Sequence, residues 1–427
     1  MDKLIQEQAE FVFDFSLSDN AVLERAKWIL LDSIGCIING LRNGKITGEY
    51  EEQVINLTMA MVNTELYEGN KFAIGHPAAH LLPLLLVEGC QRKVSAEKFF
   101  EAFITSYEVA GRWGASFALP LYSLGHGMTM TAATAAAFGK LDDSSMELIC
   151  EAMKIAASLP NVSVWNAVYS GSELHDAYAG LSALNGRRAV SLAKKGVRST
   201  KEIIEEVYCK SLQAAYRPDK MTEGLGKEFW MMKNYFKVHT GCRFIHPFAD
   251  VIQKKIENGL WAEDIKSIEI FTYKKAARIN QQSVPNELAG KFSIPVSIAV
   301  LLVKKVLDAD SIRNCQEDEQ IMELAKRIFV YEDETYNALL PEIRGGKVVI
   351  HRLDGGREEE EVFHAAGDYD NPDEFTKERL IKKFTKITAP YMKKNEQENL
   401  VQNIFHMKNL QDISVNEMLQ DFYQLIY

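Results

Sequence analysis

Thr129-Met-Thr-Ala-Ala-Thr-Ala-Ala-Ala-Phe138 carries no charged residue, no proline and no glycine, and its small side chains recur around every side of a helical repeat. A helix without a polar stripe has to be enclosed by protein, and alanines let neighbouring backbones come close. The stretch predicts a helix at the centre of a bundle. Leu81 to Val87 has the same all-round apolar character. Ahead of both, Ala21 to Asn39 sets Leu23, Ala26, Ile29, Leu30, Ser33 and Ile37 on one face, as an outer bundle helix does. The pattern predicts an almost wholly helical chain up to about residue 235.

Beyond that point the periodicity changes. Ile265-Lys-Ser-Ile-Glu-Ile-Phe-Thr-Tyr273 alternates like a half-buried strand, and Ile328 to Tyr331 is a second candidate. Lys347 to Arg352 and Glu359 to His364 flank Leu353-Asp-Gly-Gly and read as a hairpin. Helical stretches at Phe292 to Val306 and Cys315 to Lys326 lie between, so this part reads as a compact α+β domain. Asn371-Pro372-Asp373 is a helix-start signal, after which the chain stays helical to Tyr427 with an interruption at Ala389-Pro390. The expected fold is mainly α: a large all-helical domain over residues 1–245, a smaller α+β domain over 246–370, and C-terminal helices over 371–427 that return to the first.

A chain of 427 residues exceeds what one core normally serves, in keeping with two domains. A net charge of -10 argues against nucleic acid or an anionic membrane as the main partner, so the receptor for an anionic substrate must be local. Met1 to Ser16 lacks the zones of a signal peptide, and no apolar run is long enough to span a bilayer. The six cysteines are scattered without a C-x-x-C pair, which predicts free thiols in a reducing compartment and a cytoplasmic protein.

Four segments carry proton-handling groups. Lys237-Val-His-Thr-Gly-Cys-Arg-Phe-Ile-His246-Pro247 packs two cations, two imidazoles and a thiol together. Arg243 could fork a carboxylate, and Lys237 could move a proton if the aromatics Trp230, Tyr235 and Phe236 desolvate it. The spacing of His239, Cys242 and His246 invites zinc but lacks a fourth ligand and has Arg243 in its midst, so no metal is expected. His246 before Pro247 reads as a helix cap. Gly75-His76-Pro77 likewise places His76 at a helix start, where the dipole favours the neutral imidazole; Pro77 occupies the position at which a metal-protease helix would need glutamate. Glu65-Leu-Tyr67-Glu68-Gly69-Asn70 is an acidic loop leading into that helix, read either as solvated or as orienting an imidazole or a substrate hydroxyl. Gly125-His126-Gly127 lets the backbone approach a ligand and makes His126 a candidate proton carrier, with an ordinary loop histidine as the alternative.

Together with Leu30-Leu-Asp-Ser-Ile-Gly35, Tyr107-Glu-Val-Ala-Gly-Arg112 and Ala289-Gly-Lys291-Phe-Ser-Ile-Pro295, these segments resemble, in order, those of the MmgE/PrpD family, which includes 2-methylcitrate dehydratase, cis-aconitate decarboxylase and iminodisuccinate epimerase. The resemblance spans nearly the whole chain. It implies a helical domain, an α+β lid over 246–370, a homodimer and a metal-free, cofactor-free site between the domains. It also implies catalytic roles for His76, His126 and Lys237, with Arg243, Glu65, Tyr67, Glu68, Asn70 and Lys291 contacting substrate. The chain departs from the family's D-x-D-D-T motif, which appears as Glu65-Leu-Tyr67-Glu68-Gly69. Ser172 or Glu173 stands where a lysine often precedes the leucine-histidine pair, and Val296 where a tyrosine often follows Lys-Phe-Ser. The expected activity is a cofactor-independent lyase, dehydratase or decarboxylase, on a small di- or tricarboxylate. An epimerase of an iminodisuccinate-like dicarboxylate and a catalytically silent carboxylate binder are the alternatives.

Overall fold

A computed structural model describes residues 2–427 except positions 74, 372, 374 and 408. The first part of the chain forms α1 (Asp2–Asp14), α2 (Asn20–Leu41), α3 (Tyr50–Asn63), β1 (Gly69–Asn70), α4 (Pro77–Arg92), α5 (Ala96–Ser116), β2 (Phe117–Ala118), α6 (Thr131–Leu141), α7 (Met146–Ala156), α8 (Asn166–Tyr169) and α9 (Leu174–Lys194). The charge-free segment is α6, and every one of its residues is buried, among α5, α7 and α9. Small residues are needed on both sides of that packing. A Cβ added at Gly186 of α9 would lie 1.9 Å from Thr134 Oγ1, and Thr131 and Ser182 share a hydrogen bond of 3.0 Å across the same contact.

The expectation of nearly continuous helix to residue 235 fails over 195–233. That stretch contains a π-helical turn at Glu205–Ser211, 3-10 turns at Pro218–Met221 and Trp230–Lys233, and β3 (Ala215–Tyr216), which pairs with β2. Pro218 and the Gly224-Leu-Gly226 sequence interrupt regular helix there. β4 (Asn234–Tyr235) then pairs antiparallel with β1, with Gly69 opposite Tyr235.

The later part consists of α10 (His246–Glu257), β5 (Ile265–Thr272), α11 (Lys274–Ala277), α12 (Glu287–Gly290), α13 (Ile294–Lys304), α14 (Glu319–Ala325), β6 (Ile328–Glu332), α15 (Glu334–Asn337), β7 (Gly346–Arg352) and β8 (Arg357–Val362). The sheet order is β6-β5-β7-β8; β5 and β6 run parallel, and the other pairs are antiparallel. Alternation buries Ile265, Ile268, Ile270 and Thr272 of β5, and α13, apolar all round, is buried from Ile294 to Leu302. Strands and the hairpin thus lie where the period-2 pattern placed them.

The C-terminal helices are α16 (Lys377–Thr388), α17 (Lys394–His406), α18 (Val415–Met418) and α19 (Gln420–Ile426). The helix expected from Asn371-Pro372-Asp373 begins later, at Lys377, with the Thr376 hydroxyl capping Arg379 N–H; Pro372 lies outside the described residues. Asn371 instead bonds Ala365 O and Asp373 N–H, closing a turn. Phe375, Leu380, Phe384, Leu400 and Phe422 join one hydrophobic cluster with α1 to α7 and α9. A second cluster gathers Phe248, Ile252, Ile268, Ile298, Val348 and Ile350, with Leu124, Val168 and Tyr178 reaching into it from the helical part. The fold is mainly α with small sheets. Among the described residues no helix is long and apolar enough to cross a membrane, and all six cysteines are free.

Candidate active site

The β1–β4 pairing brings the acidic loop against the Lys237 segment, although they are far apart in sequence. Glu65 sits at the junction in a left-handed conformation, φ 48°, and is 1% exposed. Its carbonyl accepts from Gly241 N–H (3.0 Å) and Lys237 Nζ (3.2 Å), and its Oε2 from Lys237 Nζ (2.7 Å). Its Oε1 accepts from Tyr67 OH at 3.2 Å and lies 3.7 Å from His175 Nε2. A strained non-glycine backbone persists where its surroundings over-determine it, and such positions cluster at functional sites.

Four imidazoles converge beside this residue. His76 is the N-cap residue of α4, but its side chain does not cap; Nδ1 lies 2.6 Å from Glu68 O. A carbonyl only accepts, so Nδ1 carries the proton and Nε2 is left as an acceptor. The orienting partner is therefore the Glu68 carbonyl and not, as the sequence suggested, its carboxylate. That carboxylate accepts from Ala78 N–H (3.0 Å) at the start of α4 and from Tyr107 OH (2.8 Å), and burial pushes its pKa up to about 8.

His80 is satisfied on both nitrogens. Nδ1–H donates to His76 O (2.9 Å), Nε2 accepts from Gly127 N–H (2.9 Å), and burial lowers its pKa to about 4. It thereby pins the loop that presents His126. Gly127 is required there: its φ is +79°, and an added Cβ would lie 2.9 Å from Tyr178 O. His126 makes no hydrogen bond to the described residues, and its ring centroid lies 5.3 Å from that of His76 and 5.1 Å from that of His175. Burial first, then the neighbouring His175 and His76, holds its pKa well below the ordinary value. His175 Nδ1 donates to Asp176 (2.8 Å), whose other oxygen accepts from Asn63 (3.1 Å).

His76, His126 and Glu65 open onto one cavity that is also lined by Tyr235, Arg243, Trp165 and Phe292. Glu65 is the only carboxylate on its wall among the described residues, whereas Arg243, Lys275 and Arg344 are cations. The expected open clamp at Arg243 needs correction. One terminal nitrogen pairs with Asp368 at 2.7 Å, the carbonyls of Ala365 and Ala366 take further donors, and the guanidinium stacks over Tyr235 at 4.5 Å. Arg243 supplies a positive wall with few donors left.

The remaining expected residues stand behind the wall. Lys237 is fully buried, paired with Glu65, and faces the Tyr67 ring at 4.8 Å rather than Trp230 or Phe236. Tyr67 packs on His76 with centroids 4.5 Å apart. Asn70 shapes the loop, its Oδ1 accepting from Phe72 and Ala73 N–H. Lys291 is buried against Asn63 O (2.9 Å) and Glu287 (3.4 Å). His246 occupies the first turn of α10, with its ring toward Gly241 O at 3.3 Å. Val296, in place of the expected tyrosine, is buried in the second cluster, and Glu173 is exposed.

Sequence reasoning missed His175 with Asp176, the support role of His80, and the cations Lys275 and Arg344. Only the leucine-histidine pair hinted at the first; nothing in Tyr273-Lys-Lys-Ala-Ala277 or Ile343-Arg344-Gly345 marks the last two. Among the described residues the one side-chain group whose ligand atoms converge as a metal site would need is His364, Asp368 and Asp370, and its carboxylates already pair with Arg243 and Lys71.

No curated protein matches the sequence. The model of the MmgE/PrpD N-terminal domain matches residues 67–219, which hold His76, His80, His126 and His175, and that of the MmgE/PrpD C-terminal domain matches residues 239–406, which hold Arg243, Lys275 and Arg344. Because the two matches follow one another in order and together cover most of the chain, the protein belongs to the MmgE/PrpD family.

Proposed function

We propose that the protein is a cofactor-independent lyase of the dehydratase type, acting on a small di- or tricarboxylate by removing a proton next to a carboxylate. The observation that carries this reading is His126: a neutral imidazole with no hydrogen-bond partner among the described residues, facing a cavity whose free charges are cationic in a protein of net charge -10. His126 accepts the proton from the carbon beside the carboxylate, and the positive wall stabilises the enolate that forms. A hydroxyl on the next carbon donates to His76 Nε2, which holds it in place. The His126 imidazolium then returns its proton to that oxygen, so the carbon–oxygen bond breaks, a carbon–carbon double bond forms and water leaves. Glu65 offsets the transient imidazolium, and Lys237, behind it, positions the Glu65 carboxylate. Residues 246–370 are read as a lid over the helical body, since walls of the cavity come from both parts of the chain.

An epimerase of a dicarboxylate is the second reading. It is favoured by the presence of two neutral imidazoles, His76 and His126, on the wall of one cavity, one to remove a proton and the other to return it. Incubating hydroxylated di- and tricarboxylic acids with the enzyme in deuterated water separates the two. Elimination gives an unsaturated product; epimerisation gives deuterium exchange with inversion and none. His126→Ala lowers turnover by about two to four orders of magnitude in either case. A fully active His126→Ala enzyme overturns the proposal.

A further inference from the structure

Lys275 and Arg344 line both the inner cavity and a wider outer cleft bounded by Arg217, Lys220, Lys233 and Trp230. Phe244 is the remaining residue common to both, so these three side chains mark the neck between the cavity and the cleft. In the cleft, Lys220 pairs with Glu223 and Lys233 with Glu228. Lys275 is different. It is half-buried, and among the described residues it has neither hydrogen bond nor carboxylate partner. The charged groups that bear on it are Arg344, Arg217 and Arg278, all cationic, and burial together with these neighbours lowers its pKa. Arg344 donates to Lys71 O and pairs with no described carboxylate, which leaves most of its fork free. Arg278 is turned aside onto Leu121 O and the Tyr122 ring.

Half-buried cations gathered without a counter-ion repel one another in a poorly solvated place, an arrangement that costs stability unless an anion completes it. We propose that Lys275 and Arg344 form a second carboxylate subsite at the neck, which takes the distal carboxylate of a substrate whose reacting end lies at His126. This deepens the functional reading above and rests on it. It makes the protein selective for acids with at least two carboxylates and leaves a monocarboxylate held only at the inner wall.

The test is calorimetric titration of the whole protein with citrate, malate and lactate, for wild type, Lys275→Met, Arg344→Met and Lys275→Arg. Losing a charge-assisted hydrogen bond should weaken citrate and malate by between about tenfold and a hundredfold in each methionine variant. Lactate affinity should stay within about twofold, and Lys275→Arg should retain most of the citrate affinity. Because Lys275 is repelled by its neighbours, Lys275→Met should melt no lower than wild type without ligand, which a structural lysine would not allow. Unchanged citrate and malate affinity in the methionine variants, equal losses for lactate, or no binding of citrate and malate to wild type each overturn the subsite. The result is separable from the catalytic reading. If His126→Ala keeps full turnover while Lys275→Met loses citrate selectively, the chemistry assigned to His126 fails and the subsite stands.

Discussion

Replacing Lys237 by methionine tests whether the Lys237–Glu65 pair is the strut of the site. Both side chains are at most 2% exposed, and they meet at 2.7 Å. Without the ammonium, the Glu65 carboxylate keeps the Tyr67 hydroxyl at 3.2 Å as its hydrogen-bonded partner, and the Glu65 carbonyl loses one of its two donors. Removing one partner of a buried pair typically costs about 3–5 kcal/mol, because the other charge is stranded. The strained φ at Glu65 adds to the demand, since conformations of this kind store about 1–3 kcal/mol that local bonds must offset. Urea unfolding of wild type, Lys237→Met, Glu65→Gln and the double variant measures the coupling. Each single variant should lose about 3–5 kcal/mol, and the double variant should lose several kcal/mol less than the sum of the singles. Turnover should fall in all three variants, since none keeps the Glu65 carboxylate in its place on the cavity wall that His126 also lines. A Lys237→Met protein destabilised by less than about 1 kcal/mol, or strictly additive losses, refutes the assignment of the pair as the strut.

Burial pushes the Glu68 carboxyl up from the ordinary 4.5 to about 8. The folded state therefore holds more protons than the unfolded chain between those values, and this contribution to stability is full below pH 4.5 and falls as pH rises toward 8, by at most about 1.4 kcal/mol per pH unit. Glu68→Gln should flatten that decline in unfolding experiments at pH 5 and pH 8, and an identical slope in variant and wild type removes Glu68 as its source. His80 has the opposite sign: its pKa, lowered to about 4 by burial, means stability is lost as pH falls from the ordinary value of 6.5 toward 4. Nitrogen-15 spectra should show the His80 ring neutral at pH 5, with Nε2 unprotonated, and a titration midpoint near 6.5 contradicts the buried bonding described for it.

Much of the architecture was legible because it depends on local periodicity. The charge-free run at Thr129 to Phe138 is a buried helix, and the alternation at Ile265 to Thr272 is a strand, since each pattern states which side chains must leave water. The segment 195–233 was misread because weak helical periodicity there is broken by proline, glycine and long-range pairing, which local pattern does not weigh. The site was legible in part. Glycines around His126 and the proline after His76 marked them through backbone constraints that any fold must respect. Lys275 and Arg344 carried no such mark, since a basic residue on a short helix or before a strand looks like any surface charge.

The residue types fit for acid–base chemistry, their order along the chain and membership of the MmgE/PrpD family all follow from the sequence itself, because motifs and hydrophobic period are properties of neighbouring residues. Which groups meet was decided only by tertiary structure. Packing turned Glu65 into the partner of Lys237, gave His76 the Glu68 carbonyl rather than its carboxylate, committed Arg243 to Asp368 and left His126 without a hydrogen-bond partner among the described residues. These are contests among donors and acceptors for partners distant in sequence, and their outcome depends on distances and burial that exist only once the chain has folded.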